Sequence, residues 1–315
     1  MKFQKLIASI SIVALSFIGC QENNTSTGST NKETMEFTHK LGTTKVTVKP
    51  ERVVVLDIGA VETFDELGLK FVGLPKNSLP PYLEKYKDDK SIENVGTVKE
   101  VNFEKIHALN PDLIIISTRL ETSYDELSKI APTLFYDIDP LNYISTFEAN
   151  TRMVGKLYGL EDDVEEKLQE IRYKIDEVKN GLENFDEKGL VVLFNNGNFS
   201  AFGQESRFGF VHKVMGIAPI IDDLEVSRHG QKISNEFILN ADPDYLFVID
   251  RNAVVTRNPS KKEDIENKLI KETQAYKNNK IVYLDPFVWY LSQGGLTSTR
   301  KMVDEIEKGV AQNKD

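Results

Sequence analysis

Asn102-Phe103-Glu104-Lys105-Ile106, followed by Asn110-Pro111-Asp112-Leu113, has a counterpart in the second half of the chain: Asn235-Glu236, followed by Asp242-Pro243-Asp244-Tyr245. Glu104 lies seven residues before Pro111, and Glu236 lies seven before Pro243. Each Pro-Asp pair runs straight into an apolar, β-rich run, the signature of a turn feeding a strand. An arginine follows each glutamate by fifteen residues, Arg119 in the first copy and Arg251 in the second. One offset of 132 residues relates the glutamates, the Pro-Asp pairs and the arginines. Two generic helix–turn–strand units could resemble each other by chance, but an offset shared by all three features favours a pseudo-repeat of two lobes.

Around these two units, short β-rich runs alternate with amphipathic helical stretches, the pattern of an α/β protein with mostly parallel sheets. The expected strands are 53–56, 113–117, 190–194, 245–249 and 281–284, and the expected helices include 61–67, 103–109, 208–215 and 298–308. The middle of the chain differs. Val164, Leu168, Ile171, Ile175, Val178 and Leu182 recur at intervals of 4, 3, 4, 3 and 4, one stripe of a long helix. Ile144, Phe147, Val154 and Leu157 predict a helix just before it, broken at Gly159. A helical joint of this kind is a stiff connection between two lobes.

The N-terminus carries a different message. Lys2 and Lys5 precede an uncharged, mostly apolar run, 6–18, which is too short to span a bilayer. Phe17-Ile18-Gly19-Cys20 then resembles the lipobox of bacterial lipoproteins, with Phe17 where Leu is commonest, and Cys20 is the only cysteine in the chain. Lipidation of Cys20 would provide a stable membrane anchor, since two acyl chains hold where one is marginal. The polar stretch 21–36 reads as a tether unable to bury enough surface to fold. The expected organisation is therefore a signal peptide over 1–19, lipidated Cys20 and tether over 20–36, an N-terminal α/β lobe over 37–143, a helical connector over 144–184 and a C-terminal α/β lobe over 185–315.

Composition narrows the function. The formal charge of −10 argues against nucleic acid as a partner, and loss of Lys2 and Lys5 with the signal takes it to −12. Against that background, gathered arginines need explaining. Ligands of open α/β sheets bind beyond the carboxyl ends of the strands, where Arg119 and Arg251 are expected in their two lobes. Arg207, in Gly203-Gln204-Glu205-Ser206-Arg207-Phe208-Gly209, lies between a strand and an expected helix start, a position that favours anions. Any one of the three alone reads as a surface salt bridge. Together they favour a cleft for a ligand with several negative charges.

His229 and Tyr290 are good donors for ferric iron; equally, Tyr290 could pack or hydrogen-bond while His229 faces solvent. Trp289 reads as a core or cleft-wall residue. The four histidines are scattered with no His-x-x-x-His pair, which disfavours a preformed zinc or manganese cage. Neither a Gly-x-Gly-x-x-Gly after a strand, nor a phosphate loop, nor a Gly-x-Ser-x-Gly elbow occurs, so no catalytic turnover is expected.

Val53-Val54 with Leu56-Asp57, Gly59-Ala60, Asn94-Val95-Gly96, Phe103-Glu104-Lys105-Ile106, Ser206-Arg207-Phe208-Gly209, His229-Gly230-Gln231, Ser234-Asn235-Glu236, Asp250-Arg251 and Trp289-Tyr290, in this order and at these separations, carry a family resemblance. The chain resembles the siderophore-binding lipoproteins of bacterial ABC importers, in the branch that takes ferric catecholate and mixed catecholate–citrate siderophores such as petrobactin. The resemblance implies the class III periplasmic-binding-protein fold: two Rossmann-like α/β lobes with parallel sheets, joined by a long helix, with the ligand between them. It implies that Arg119, Arg207 and Arg251 surround an Fe(III)–siderophore complex, with Trp289 among the ligand-binding residues. It also implies that His229 and Tyr290 bind iron when a siderophore leaves coordination sites open, and that Glu104 and Glu236 dock on an ABC importer permease dimer. No intrinsic cofactor is expected, and the implied state is a monomer, lipid-anchored at the extracytoplasmic face of the cell membrane. Competing readings are a haem-binding lipoprotein using His229 and Tyr290, an exported α/β hydrolase and a passive adhesin.

Overall fold

The structure, a computed structural model, describes residues 33–311. The expected signal peptide, Cys20 and most of the expected tether lie outside the described residues. The tether ends earlier than expected: Thr34–His39 (β1) pairs antiparallel with Gly42–Thr47 (β2), so Thr34, Met35 and Glu36 belong to a hairpin. Along β1, Thr34, Glu36 and Thr38 are exposed while Met35, Phe37 and His39 are half-buried, which gives the strand one face to pack.

The first lobe is built on Val53–Val55 (β3), Gly73–Leu74 (β4), Glu93–Asn94 (β5), Leu113–Ile116 (β6) and Thr133–Phe135 (β7). All neighbouring pairs are parallel, in the order β5-β4-β3-β6-β7. The helices Ile58–Glu66 (α1), Phe103–Ala108 (α2) and Tyr124–Ser128 (α3) supply its covering layers. β3, β4, β6 and β7 are fully buried, as continuous apolar runs such as Leu113–Ile116 require in a sheet covered on both faces, while the edge strand β5 is half-buried.

The connector is two helices, Tyr143–Tyr158 (α4) and Glu161–Gly181 (α5), separated at Gly159. The stripe Val164, Leu168, Ile171, Ile175 and Val178 is buried, and it packs with Tyr143 and Phe147 of α4 into the core of the second lobe. Val154 and Leu157, at the other end of α4, join the core of the first lobe. The passage between the two cores thus runs along α4.

The second lobe contains Lys188–Asn195 (β8), Asn198–Phe202 (β9), Phe210–Lys213 (α6), Ala218–Pro219 (β10), Gln231–Ile233 (β11), Asn235–Ala241 (α7), Tyr245–Asp250 (β12), Arg251–Val255 (α8), Lys262–Ile265 (α9), Gln274–Lys277 (α10), Ile281–Leu284 (β13) and Leu296–Ala311 (α11). Its main sheet order is β11-β9-β8-β12-β13, with β10 beside β8. Here the expectation of parallel sheets needs correcting, because β9 runs antiparallel to β8 and β11 antiparallel to β9. The cause is local: Asn196 and Gly197 both have positive φ, 49° and 78°, the two-residue turn that closes a hairpin.

The repeat extends to the backbone. Asn102 and Ser234 cap α2 and α7, accepting from Lys105 N at 2.9 Å and Phe237 N at 3.2 Å. Asn110 and Asp242 both take φ of 45° just before their prolines. Asp112 then accepts the N–H of Arg52 at 2.9 Å, and Asp244 that of Lys188 at 2.8 Å, each clipping one strand to the start of its neighbour.

The lobes also meet directly. The fully buried Glu62 of α1 accepts from Tyr82 Oη at 2.6 Å and from the backbone N–H of Ser298, in the first turn of α11, at 2.7 Å. Burial pushes this carboxyl up to about 7, although the bonds from Tyr82, Ser298 and Ser292 favour its ionised form. One turn on, Glu66 accepts from Arg300 of α11 at 3.0 and 3.1 Å.

Candidate binding cleft

The carboxyl end of β6 leads into Ser117, Thr118 and Arg119, and that of β12 into Asp250 and Arg251. After β13, Phe287–Leu291 forms a wide π-type turn, in which Ser292 N donates to Phe287 O at 3.1 Å. Tyr290 emerges from this turn between the arginines. Its carbonyl oxygen accepts Nη2–H of Arg119 at 2.7 Å and Nη2–H of Arg207 at 3.0 Å. Its hydroxyl accepts Nε–H of Arg251 at 2.9 Å, and Arg251 also donates from Nη1 to Asn195 at 2.8 Å. The guanidinium carbons of Arg207 and Arg251 lie 4.9 and 5.5 Å from the Tyr290 ring centre, a favourable cation–π arrangement.

A cavity of about 350 Å³ opens beside this cluster. Arg119, Arg207, Arg228 and Tyr290 line it, together with Asp57, Asp137 and Glu205. Arg251 does not line it but reaches its wall through the Tyr290 hydroxyl. The acids are not spare counter-charges. Asp57 caps α1 and accepts from Ser117 Oγ at 2.6 Å, Asp137 accepts from Thr118, and Glu205 pairs with Lys213 at 3.4 Å.

The electrostatics follow from crowding like charges in a partly dry space. Burial, and then the nearby charge of Arg119, lower Arg207 to about 10, with Arg228 and Arg251 acting in the same direction. Arg207 stays cationic at neutral pH. Burial alone would raise the Tyr290 phenol, but the hydrogen bond from Arg251 and the charges of Arg251, Lys99 and Arg207 outweigh it and hold the phenol below its ordinary value. Burial holds Asp57 above the usual carboxylate range despite its bond from Ser117 and the charge of Arg119.

The other expected site residues fall differently. Trp289 is fully buried in the core of the second lobe, donates Nε1–H to Glu305 at 2.9 Å and meets Phe210 edge-on. It is a core residue and not a cleft contact: of this turn Tyr290 and Leu291 line the cavity, while Trp289 points the other way, onto Phe210 and Glu305. His229 sits exposed on a turn and does not line the cavity that Tyr290 lines. Its neighbour Arg228 does, a residue that sequence reasoning passed over although it stands in the same Ser227-Arg228-His229-Gly230 turn. Glu104 and Glu236 are exposed in the first turns of α2 and α7. Glu236 is held below the usual carboxylate range by its own backbone N–H and by Ser234. Among the described residues, no group of three or more His, Cys, Asp or Glu side chains is placed to hold a metal ion, and no helix is long and apolar enough to cross a membrane.

The family model described as "Periplasmic binding protein" matches residues 53–287. The petrobactin-binding protein YclQ of Bacillus subtilis is 42% identical over 308 residues, covering 96% of this chain and 97% of its own. Its crystal structure superposes with a TM-score of 0.86 at 43% identity, covering 89% of this chain and 99% of that one. The ferric-anguibactin-binding protein FatB of Vibrio anguillarum is 39% identical over 276 residues, 86% of each chain. The crystal structure of the periplasmic catecholate-siderophore binding protein VctP of Vibrio cholerae gives a TM-score of 0.83 at 36% identity, over 88% of this chain and all of its own.

Proposed function

The chain belongs to the periplasmic binding protein family, and on that premise we propose that it captures a ferric catecholate or mixed catecholate–citrate siderophore between its lobes and hands it to an ABC importer. The observation that carries this reading is the convergence of Arg119, Arg207 and Arg251, from separate segments of both lobes, on one tyrosine beside a cavity. A ferric catecholate is anionic, and fixed guanidinium groups with several donors each suit its oxygens. The names of the relatives point the same way: petrobactin, anguibactin and catecholate siderophores.

The chemistry is binding without turnover. An entering oxyanion competes with the Tyr290 carbonyl for Arg119 and Arg207, and each guanidinium has further N–H donors to offer it. Partial desolvation strengthens those contacts. When a siderophore leaves iron coordination sites open, the Tyr290 phenol, acidified by its arginines, is the oxygen donor at hand; His229 reaches the metal only if its turn swings over the cavity. Exposed Glu104 and Glu236, one on each lobe, are the pair suited to contact a dimeric permease. Cys20, once acylated, would hold this monomeric receptor at the extracytoplasmic face of the membrane.

The test is a titration of residues 21–315 with a panel of ferric siderophores, followed by the fluorescence of Trp289, the only tryptophan. Saturable quenching at one ligand per chain by a ferric catecholate is expected. Replacing Arg207 and Arg251 together by Ala should weaken that binding by about 100-fold or more, since each charged hydrogen bond contributes about 1.5–3 kcal/mol. No quenching by any catecholate, or an unchanged affinity in the double variant, would refute the reading.

A further inference from the structure

The arginines around the cleft differ in how fully their donors are occupied. Arg119 and Arg207 donate to the Tyr290 carbonyl, and Arg251 to Asn195 and the Tyr290 hydroxyl. Arg228 also lines the cavity, yet it is exposed and, among the described residues, forms no hydrogen bond or ion pair. Its charge acts on Arg207 deep in the cleft and on Lys40 of the first lobe, so it stands within electrostatic reach of both sides.

The position is built, not accidental. Leu224, at one end of the segment, is buried in the second-lobe core. Glu225 N donates to Gln231 Oε1 at 2.9 Å, and the turn closes with Ser227 Oγ donating to Gly230 O at 3.0 Å and Gly230 N to Ser227 O at 3.2 Å. Gly230 has φ of +73° and lies so close to β9 that a Cβ there would meet Ala201 O and the Phe202 ring at 2.7 Å. Both ends of the turn are thereby fastened to the sheet, and the residue at its tip that lines the cavity is Arg228 rather than His229.

We propose that Arg228 is a fourth ligand-binding arginine, the first cation an anionic ferric complex meets at the cleft mouth and the one that governs its rate of capture. This rests on the reading of the cleft as a siderophore site. A free guanidinium at a rim accelerates encounter with an anion through its long-range field, and that contribution is screened by salt. The inner arginines act after entry, once they exchange the Tyr290 carbonyl for the ligand.

Stopped-flow fluorescence of residues 21–315, with ferric petrobactin and ferric tris(2,3-dihydroxybenzoate) as probes, tests the assignment in Arg228→Ala, Arg228→Lys and Arg228→Glu. At low salt Arg228→Ala should slow association by about 3–10-fold, with Arg228→Glu slower still and Arg228→Lys near the parent chain. At about 0.5 M salt the differences should largely vanish, because the screening length falls to a few ångströms. The thermal midpoint should not move. Association rates equal to the parent in both Ala and Glu variants would overturn the proposal. So would a defect that persists undiminished at high salt with a lowered midpoint, which would make Arg228 a purely structural residue. A parent chain that binds neither probe removes the siderophore reading, and this proposal falls with it.

Discussion

The segments 102–119 and 234–251 are the same device built twice, and they end differently. Both begin with a capped helix and an exposed glutamate, pass through a left-handed residue at φ of 45°, and clip a Pro-Asp carboxylate onto the neighbouring strand. Arg119 then follows Ser117 and Thr118 into an irregular turn, lines the cavity and reaches across to Tyr290 of the other lobe. Arg251 instead opens α8 behind the capping residue Asp250, stays off the cavity wall and works through the Tyr290 hydroxyl. Pseudo-symmetry of the scaffold brings two cations to one place. The few residues after each strand decide whether the cation faces the cavity or supports the group that does.

The sharpest way to break this contrast is to remove each arginine alone. Arg119→Ala should weaken a ferric catecholate by about 30–100-fold and Arg251→Ala by about 10-fold, a loss of one charged contact against an indirect one. Equal losses in calorimetric titration would mean that both arginines touch the ligand, and the distinction between them would go.

The contact between the lobes gives the next largest effect. Glu62 has a folded-state pKa of about 7 against an ordinary value of 4.5, so between those values the folded protein holds a proton that the unfolded chain has released. Stability contributed at this site is therefore greatest below pH 4.5 and falls as pH rises towards 7, by on the order of 3 kcal/mol. Denaturant unfolding across that range should show the difference between the parent chain and Glu62→Gln shrinking as pH rises. A difference independent of pH would contradict the neutral carboxyl at the lobe interface.

The smallest effect tests the likeness itself. Asn110→Gly should raise stability, or leave it unchanged, within about 0.5–1 kcal/mol; Asp242→Gly also loses the bond its carboxylate accepts from Gln274 N at 2.7 Å and should lower it by about 1 kcal/mol, whereas Ala at either position should cost more than Gly. A matched gap between the Gly and Ala variants in thermal unfolding would support one backbone geometry in both lobes; a gap at one site only would separate them.

Much of this architecture is legible in the residues. The spacing of Glu, Pro-Asp and Arg reveals the repeat, and the 4-3-4-3-4 stripe becomes the buried face of α5. The helix break at Gly159 is equally local in origin. The antiparallel edge of the second sheet was also encoded, in Asn196-Gly197, a two-residue hairpin signal that the reading of alternating α and β runs passed over. Met35 fits a strand only once β2 exists to pair with it, so the hairpin could not be read from that polar segment alone.

Which member of an adjacent pair faces the cavity is a different kind of question. Trp289 and Tyr290 are neighbours, as are Arg228 and His229, and nothing in their order distinguishes them. The sequence by itself determined the two lobes, the placement of arginines after matching strands and the presence of a tyrosine after the last strand. Only the tertiary structure decided that Trp289 turns into the core to meet Glu305 while Tyr290 turns outward to hold three arginines, and that Arg228 rather than His229 lines the cavity. The physical reason is that side-chain direction in a turn is set by what packs against it: here the π-type turn on Phe210 and Glu305, and Gly230 against β9. Those partners come from segments distant in the chain.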